Sequence, residues 1–191
     1  MNTLKNVVPL EGKTLENADA VSKEIMESTK KSIGMIPNMY GLMANNPALL
    51  DAYRHSYDTF RVNSRFTAPE QEIVFLSVAY ENNCDYCMAA HSFVGDNMTN
   101  VPKEVTDAIR NNTEISDSKY KALSLFTRAM TVKRGNPSQE DIDSFFNAGY
   151  TPNHILGVIT GIGVKTMSNY FNHIFNTPLD NAFKGRIWEK R

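Results

Sequence analysis

Apolar positions recur along this chain at the three-to-four-residue spacing of helices, and no segment alternates with the two-residue period of a strand. Residues 17–33 predict a first helix with Val21, Ile25 and Met26 on one face, closed by Gly34. Ile36-Pro37-Asn38 punctuates the chain before a short helical turn over 39–44, and Asn46-Pro47 opens a helix to about Arg61. Thr67-Ala68-Pro69-Glu70 has the form of a capping box. The helix it opens carries Ile73, Val74, Phe75, Leu76, Val78 and Ala79, an apolar load that belongs in a core. Asn82-Asn83 breaks it, and Asn83 is placed to cap a new helix starting near Cys84. Asn100-Val101-Pro102, Ser116 and Ser138 are further starts, and Thr151-Pro152 opens a last long helix through about Asn172. The expected fold is all-α.

The longest apolar stretch, 155–164, is interrupted by Gly157, Thr160, Gly161 and Gly163, so no segment reaches the roughly 18 residues that span a bilayer. Gly157 and Gly161 would let a neighbouring helix approach closely. The first residues, Met1-Asn2-Thr3-Leu4-Lys5, lack the apolar region of a secretory signal, which leaves a cytoplasmic location as the expectation. At 191 residues the chain suits one domain, 1–191, or two closely packed halves sharing one core. A formal net charge of -1 excludes the basic excess of an electrostatic nucleic-acid binder.

The chain has two cysteines, and both lie in Cys84-Asp85-Tyr86-Cys87. A disulfide between them would close almost no loop and so would staple nothing, which points to chemistry instead of architecture. On a helix, Cys84, Cys87 and His91 fall at i, i+3 and i+7, on one face. A thiol in the first turn is acidified by the helix dipole, which favours Cys84. A base one turn away favours Cys87, whose proton His91 would take and return. Cβ atoms at i and i+3 lie about 5–6 Å apart and a disulfide needs about 3.5–4.5 Å, a gap that a first helical turn can close. Glu72 shares a face with Phe75, Leu76 and Ala79, and burial there is expected to raise its pKa toward neutrality. Glu70 is better explained by the capping box, and Glu81 by a solvated helix end.

The spacing Glu72-x11-Cys84-x2-Cys87-x3-His91 resembles the signature of alkylhydroperoxidase D (AhpD)-like proteins in the carboxymuconolactone decarboxylase superfamily. Ile36-Pro37-Asn38-Met39-Tyr40, Asn46-Pro47-Ala48-Leu49-Leu50, Ala148-Gly149-Tyr150-Thr151, Asn169-Tyr170-Phe171-Asn172-His173 and Thr177-Pro178-Leu179-Asp180 resemble its peroxidase-related branch, so the likeness spans roughly 30–182. The resemblance implies an AhpD-like helical domain with its redox core over about 67–130, assembled as a homo-oligomer. It also implies reduction of a hydroperoxide at the expense of a dithiol, either lipoyl or thioredoxin-like, without a cofactor. In that scheme Cys87 attacks the peroxide, Cys84 resolves the sulfenic acid to a disulfide, and Glu72 and His91 relay protons. One departure stands out: the best-known members carry a histidine before the second cysteine, where this chain has Tyr86.

Two other readings fit the residues. A redox sensor would form the same disulfide without turnover. A metal module would use Cys84, Cys87 and His91 as ligands, but no second C-x-x-C or H-x₃-H supplies a fourth. His55, His154 and His173 have no paired spacing and suit structural or surface roles. Gly161-Ile162-Gly163-Val164-Lys165-Thr166 looks superficially like a phosphate loop but lacks the glycine before the lysine. Tyr40 and Tyr86 are candidates to line a pocket. An apolar last helix, with Phe183, Ile187 and Trp188 in the tail, is more than a monomer of this size readily covers.

Overall fold

A computed structural model describes residues 8–190, so the expectation for Met1-Asn2-Thr3-Leu4-Lys5 lies outside the described residues. After an irregular start, the chain forms α1 (Ala20–Ile33), α2 (Asn38–Met43), α3 (Pro47–Asn63), α4 (Ala68–Glu81) and α5 (Asp85–Asn97). It continues through α6 (Lys103–Asn111), α7 (Ser118–Val132), α8 (Gln139–Asn147) and α9 (Pro152–Phe175), then a 3₁₀ turn at Asn181–Arg186. Among the described residues there is no strand, and no helix is long and apolar enough to cross a membrane.

The helix ends follow the local signals closely. Gly34 takes the left-handed conformation (φ +80°) that stops α1. The Thr67–Glu70 capping box is formed in both directions, and Ser138 and Asp141 make another ahead of α8. Other boundaries shift. Asp19, not a residue near 17, caps α1, and Asp117, not Ser116, caps α7. Of the expected trio, Met26 is buried and Ile25 is half-buried against the core, but Val21 is exposed, and Ser22 and Thr29 are buried beside Met26.

Helix α4 is the central strut, buried along nearly its whole length, with α5, α6, α7 and α9 packed around it and α3 lying on α9. Two glycines let α9 in. A Cβ on Gly157 would stand 2.6 Å from the Ser64 carbonyl oxygen, and one on Gly161 would stand 2.6 Å from Val74 Cγ1. The tail departs from expectation in part. Phe183 and Trp188 fold back and are buried, Trp188 donating its indole N–H to the Arg110 carbonyl at 2.8 Å, while Ile187 stays exposed. Glu81 is no solvated helix end: it is half-buried and ion-paired with Arg128.

Candidate active site

The turn from α4 into α5 sets the two thiols. Asn83 adopts a left-handed conformation (φ +56°) and so cannot be the expected cap; Cys84 takes the N-cap position itself. The Cys84 amide donates to the Ala79 carbonyl at 2.9 Å, which fixes the turn. Cys87 then falls in the first turn of α5 and His91 one turn later. All three side chains are buried, and both cysteines are free thiols.

His91 has both ring nitrogens engaged. Nδ1 lies 2.8 Å from Glu72 Oε2, and Nε2 lies 2.8 Å from Lys165 Nζ. An ammonium can only donate, so Nε2 is the acceptor and Nδ1 carries the hydrogen that Glu72 receives, an assignment made from the partners. The spacing predicts His91 as the base of the Cys87 thiol; in the structure Lys165 occupies the nitrogen that would face it. Burial first, then the Lys165 charge, lowers the His91 pKa and keeps the ring neutral.

Glu72 is completely buried, and its second oxygen is ion-paired with Arg61. Burial works to raise its pKa, but the Arg61 guanidinium and the His91 contact outweigh it and hold the carboxyl below its ordinary value. The expected upward shift is thus reversed, because apolar neighbours on α4 say nothing of an arginine arriving from α3.

The thiols are held from α9. Asn172 Nδ2 lies 3.3 Å from Cys87 Sγ and 3.8 Å from Cys84 Sγ, and Ser168 Oγ is 3.8 Å from Cys87 Sγ. Thr177 donates to Asn172 Oδ1 at 2.6 Å, which aims the amide N–H groups at sulfur. Burial opposes a Cys87 thiolate, but the Cys84 hydrogen bond, then Lys165 and His91, bring its pKa well below the ordinary thiol value. Cys84 moves the opposite way, raised first by that same hydrogen bond and then by burial. The two thiols are therefore unequal, Cys87 being the more acidic of the pair.

A cavity of about 440 Å³ opens onto His91, walled by Tyr40, Tyr53, Tyr57, Tyr86 and Phe183. Both tyrosines proposed from sequence as pocket residues line it. Burial pushes the Tyr40 hydroxyl up to about 12, so it remains a donor. Tyr86 donates to Asp180 Oδ2 at 2.6 Å, and Asp180 Oδ1 accepts the Asn38 amide at 3.0 Å. Tyr86 thus ties the tail to α2 and α5.

Four residues of the cluster were not recognised in the sequence: Arg61, Lys165, Ser168 and Asn172. One signal for Lys165 was present, since it is the only Asp, Glu, Lys or Arg in α9. The other histidines stay apart: His55 is exposed, His154 Nδ1 joins the cap of α9 at 2.8 Å from Thr151 Oγ1, and His173 is half-buried. Among the described residues no group of three or more His, Cys, Asp or Glu side chains could hold a metal ion. His91, the third ligand in the metal reading, has turned both nitrogens to Glu72 and Lys165.

Among solved structures, the chain matches an alkylhydroperoxidase AhpD-core, uncharacterized peroxidase-related protein from Ralstonia eutropha JMP134 with a TM-score of 0.82. The match covers 96% of this chain and 100% of that one at 17% identity. The fold is the AhpD-core fold. It is shared by an uncharacterized peroxidase-related protein from Silicibacter sp. TM1040 (TM-score 0.77, 18% identity, 96% and 99% covered). It also recurs in the debrominase Bmp8, in a cysteine-to-alanine variant complexed with 2,3,4-tribromopyrrole (TM-score 0.76, 14% identity, 97% and 96% covered). No protein-family model matches the sequence, and no curated protein does. At these identities the AhpD-core likeness speaks for architecture, and the chemistry has to be argued from the site.

Proposed function

We propose that this protein is a thiol peroxidase that reduces organic hydroperoxides through Cys87 and Cys84. The observation that carries the reading is the inequality of two adjacent buried thiols, with Cys87 held by Asn172 and Ser168 on the helix whose Tyr86 and His91 line an aromatic-walled cavity; the thiols themselves do not line it. The Cys87 thiolate attacks the terminal peroxide oxygen, the O–O bond breaks, and the departing alkoxide takes a proton to leave as an alcohol. Cys87 is then a sulfenic acid. The Cys84 thiol attacks that sulfur, the S–O bond breaks, and the hydroxyl leaves as water with the Cys84 proton. An external dithiol, lipoyl or thioredoxin-like, reduces the resulting disulfide. Glu72 fixes the tautomer of His91, so that a proton relayed by the pair passes through Nε2 and the Lys165 ammonium that it holds. The apolar, phenol-rich wall favours a hydroperoxide with a hydrocarbon or aromatic body over hydrogen peroxide.

The test uses Cys84→Ser with one equivalent of cumene hydroperoxide and a sulfenic-acid trap located by mass spectrometry. The expected adduct is on Cys87, and the two-cysteine protein is expected to turn over with dihydrolipoate or a thioredoxin. An adduct on Cys84 in Cys87→Ser, with none on Cys87 in Cys84→Ser, would reverse the roles. Disulfide formation without turnover under every dithiol would leave a sensor.

A second reading is favoured by the aromatic wall together with the fold shared with Bmp8. The same dithiol could reduce a halogenated aromatic, the aryl halide gaining hydrogen and releasing hydrogen halide as the disulfide forms. Bromide release from 2,3,4-tribromopyrrole in the presence of a dithiol distinguishes the two.

A further inference from the structure

Lys165 is 1% exposed, on a helix packed against α3, α4 and α5. An ammonium buried that deeply is costly unless an anion answers it. Its neighbours do not supply one: Nζ contacts the neutral His91 Nε2 at 2.8 Å and lies 5.3 Å from the centre of the Phe75 ring. Glu72 stands on the far side of His91 and is already paired with Arg61. Arg61, Glu72 and Lys165 therefore sum to one positive charge around a neutral imidazole.

The remaining ionisable partner is on the facing helix. Lys165, Ser168 and Asn172 lie at i, i+3 and i+7 on α9, and the second and third of these reach Cys87 Sγ at 3.8 and 3.3 Å. One edge of α9 is thus laid along the cysteine–histidine face of α5. The other titratable groups around Cys87 are Cys84 at the cap of α5, Tyr86 and His91 on α5, and Tyr53 on α3. Burial holds both tyrosines protonated, and hydrogen bonding to Cys87 keeps the Cys84 proton in place.

We propose that Lys165, held in position by His91, is the counter-ion of a Cys87 thiolate, and that this pairing makes the Cys84–Cys87 disulfide readily reducible. When the disulfide forms, Cys87 loses its negative charge and the buried ammonium keeps only the neutral His91 nitrogen and the Phe75 ring, with no counter-charge. The oxidised state bears that cost and the dithiol state does not. With a small dithiol as reductant, the protein's S–S bond breaks and the reductant's S–S bond forms. Of the two hydrogens delivered, one stays on Cys84, the other is released as a proton, and Cys87 remains a thiolate. The inference concerns the cysteine couple alone and holds whichever oxidant the site takes, so it stands or falls separately from the peroxidase reading.

The deciding variant is Lys165→Met, which keeps the length and apolar stem of lysine without its charge. In a Cys84→Ser background, the rate of Cys87 alkylation by iodoacetamide is followed against pH. In the two-cysteine protein, the dithiol–disulfide ratio is measured at equilibrium with reduced and oxidised dithiothreitol. Removing Lys165 should raise the alkylation midpoint by at least one pH unit, a tenfold loss of thiolate below the midpoint. It should also move the redox equilibrium at least tenfold toward the disulfide. A purely structural lysine would leave both readouts in place once circular dichroism shows the helices intact. An unchanged midpoint, or an equilibrium displaced toward the dithiol, would overturn the proposal. Should Lys165→Met fail to fold, Lys165→Gln, uncharged yet able to donate to His91 Nε2, is held to the same two outcomes.

Discussion

Replacing Glu72 by glutamine keeps the shape of the side chain but cannot satisfy its neighbours. The carboxylate accepts from His91 on one oxygen and pairs with Arg61 on the other. A glutamine has one acceptor and one donor end. If its oxygen faces His91, its amide hydrogens meet the Arg61 donors. If its amide faces His91, Nδ1 must become an acceptor, and the hydrogen moves to Nε2, against the Lys165 ammonium. Each orientation sets donor against donor. Breaking a buried ion pair by removing one partner costs about 3–5 kcal/mol. The Glu72 side chain is 0% exposed but Arg61 retains 18%, so water can partly serve the arginine and the low end, about 3 kcal/mol, is expected. That is a large fraction of the roughly 5–15 kcal/mol by which a domain is stable, so part of any loss of activity would be loss of fold. Urea unfolding followed by far-ultraviolet circular dichroism measures it. The pH dependence supplies an internal check. The folded Glu72 carboxyl titrates below its ordinary value, so the stability it adds is complete above an unfolded pKa of about 4.3 and is lost as pH falls further. Glutamine binds no proton, so the gap between wild type and Glu72→Gln should be constant above about pH 5 and narrow below about 4.3. A loss under about 1 kcal/mol at neutral pH, or a gap that does not narrow in acid, would refute the reasoning.

Two further outcomes follow from packing. Gly161→Ala puts a methyl 2.6 Å from Val74 Cγ1 and 3.0 Å from Phe60 Cε2, both fully buried and unable to yield, so it should destabilise despite alanine's better helix propensity. A net loss of about 1–2 kcal/mol is expected by the same unfolding assay, and a neutral or stabilised variant would show that α9 can move off α3 and α4. Leu156, Ile159, Tyr170 and Ile174 are exposed along α9 at helical spacing, and covering them by self-association is expected. Light scattering at micromolar concentration should give at least twice the 21.5 kDa chain mass, and a clean monomer would contradict it.

The sequence by itself determined whatever depends on neighbours in the chain. Thr67-Ala68-Pro69-Glu70 and Thr151-Pro152 marked helix starts, Gly34 marked an end, and an i, i+3, i+7 spacing put Cys84, Cys87 and His91 on one face. These are effects of one or two helical turns, and local backbone geometry is nearly the same in any fold. Even here the limit is close. Cys84 took the cap role expected for Asn83, because the turn out of α4 required a left-handed residue, Asn83, just before the cap. What only the tertiary structure decided is who faces the cluster. Arg61 comes from eleven residues before Glu72 and reverses the expected direction of its pKa. Lys165 comes from 74 residues beyond His91 and takes the nitrogen that sequence reasoning had given to Cys87. Asn172 comes from 85 residues beyond Cys87 and supplies its N–H donor. Periodicity reports which face of a helix is buried, but not which charge is buried against it. In a low-dielectric interior that second fact sets protonation, and through it the chemistry.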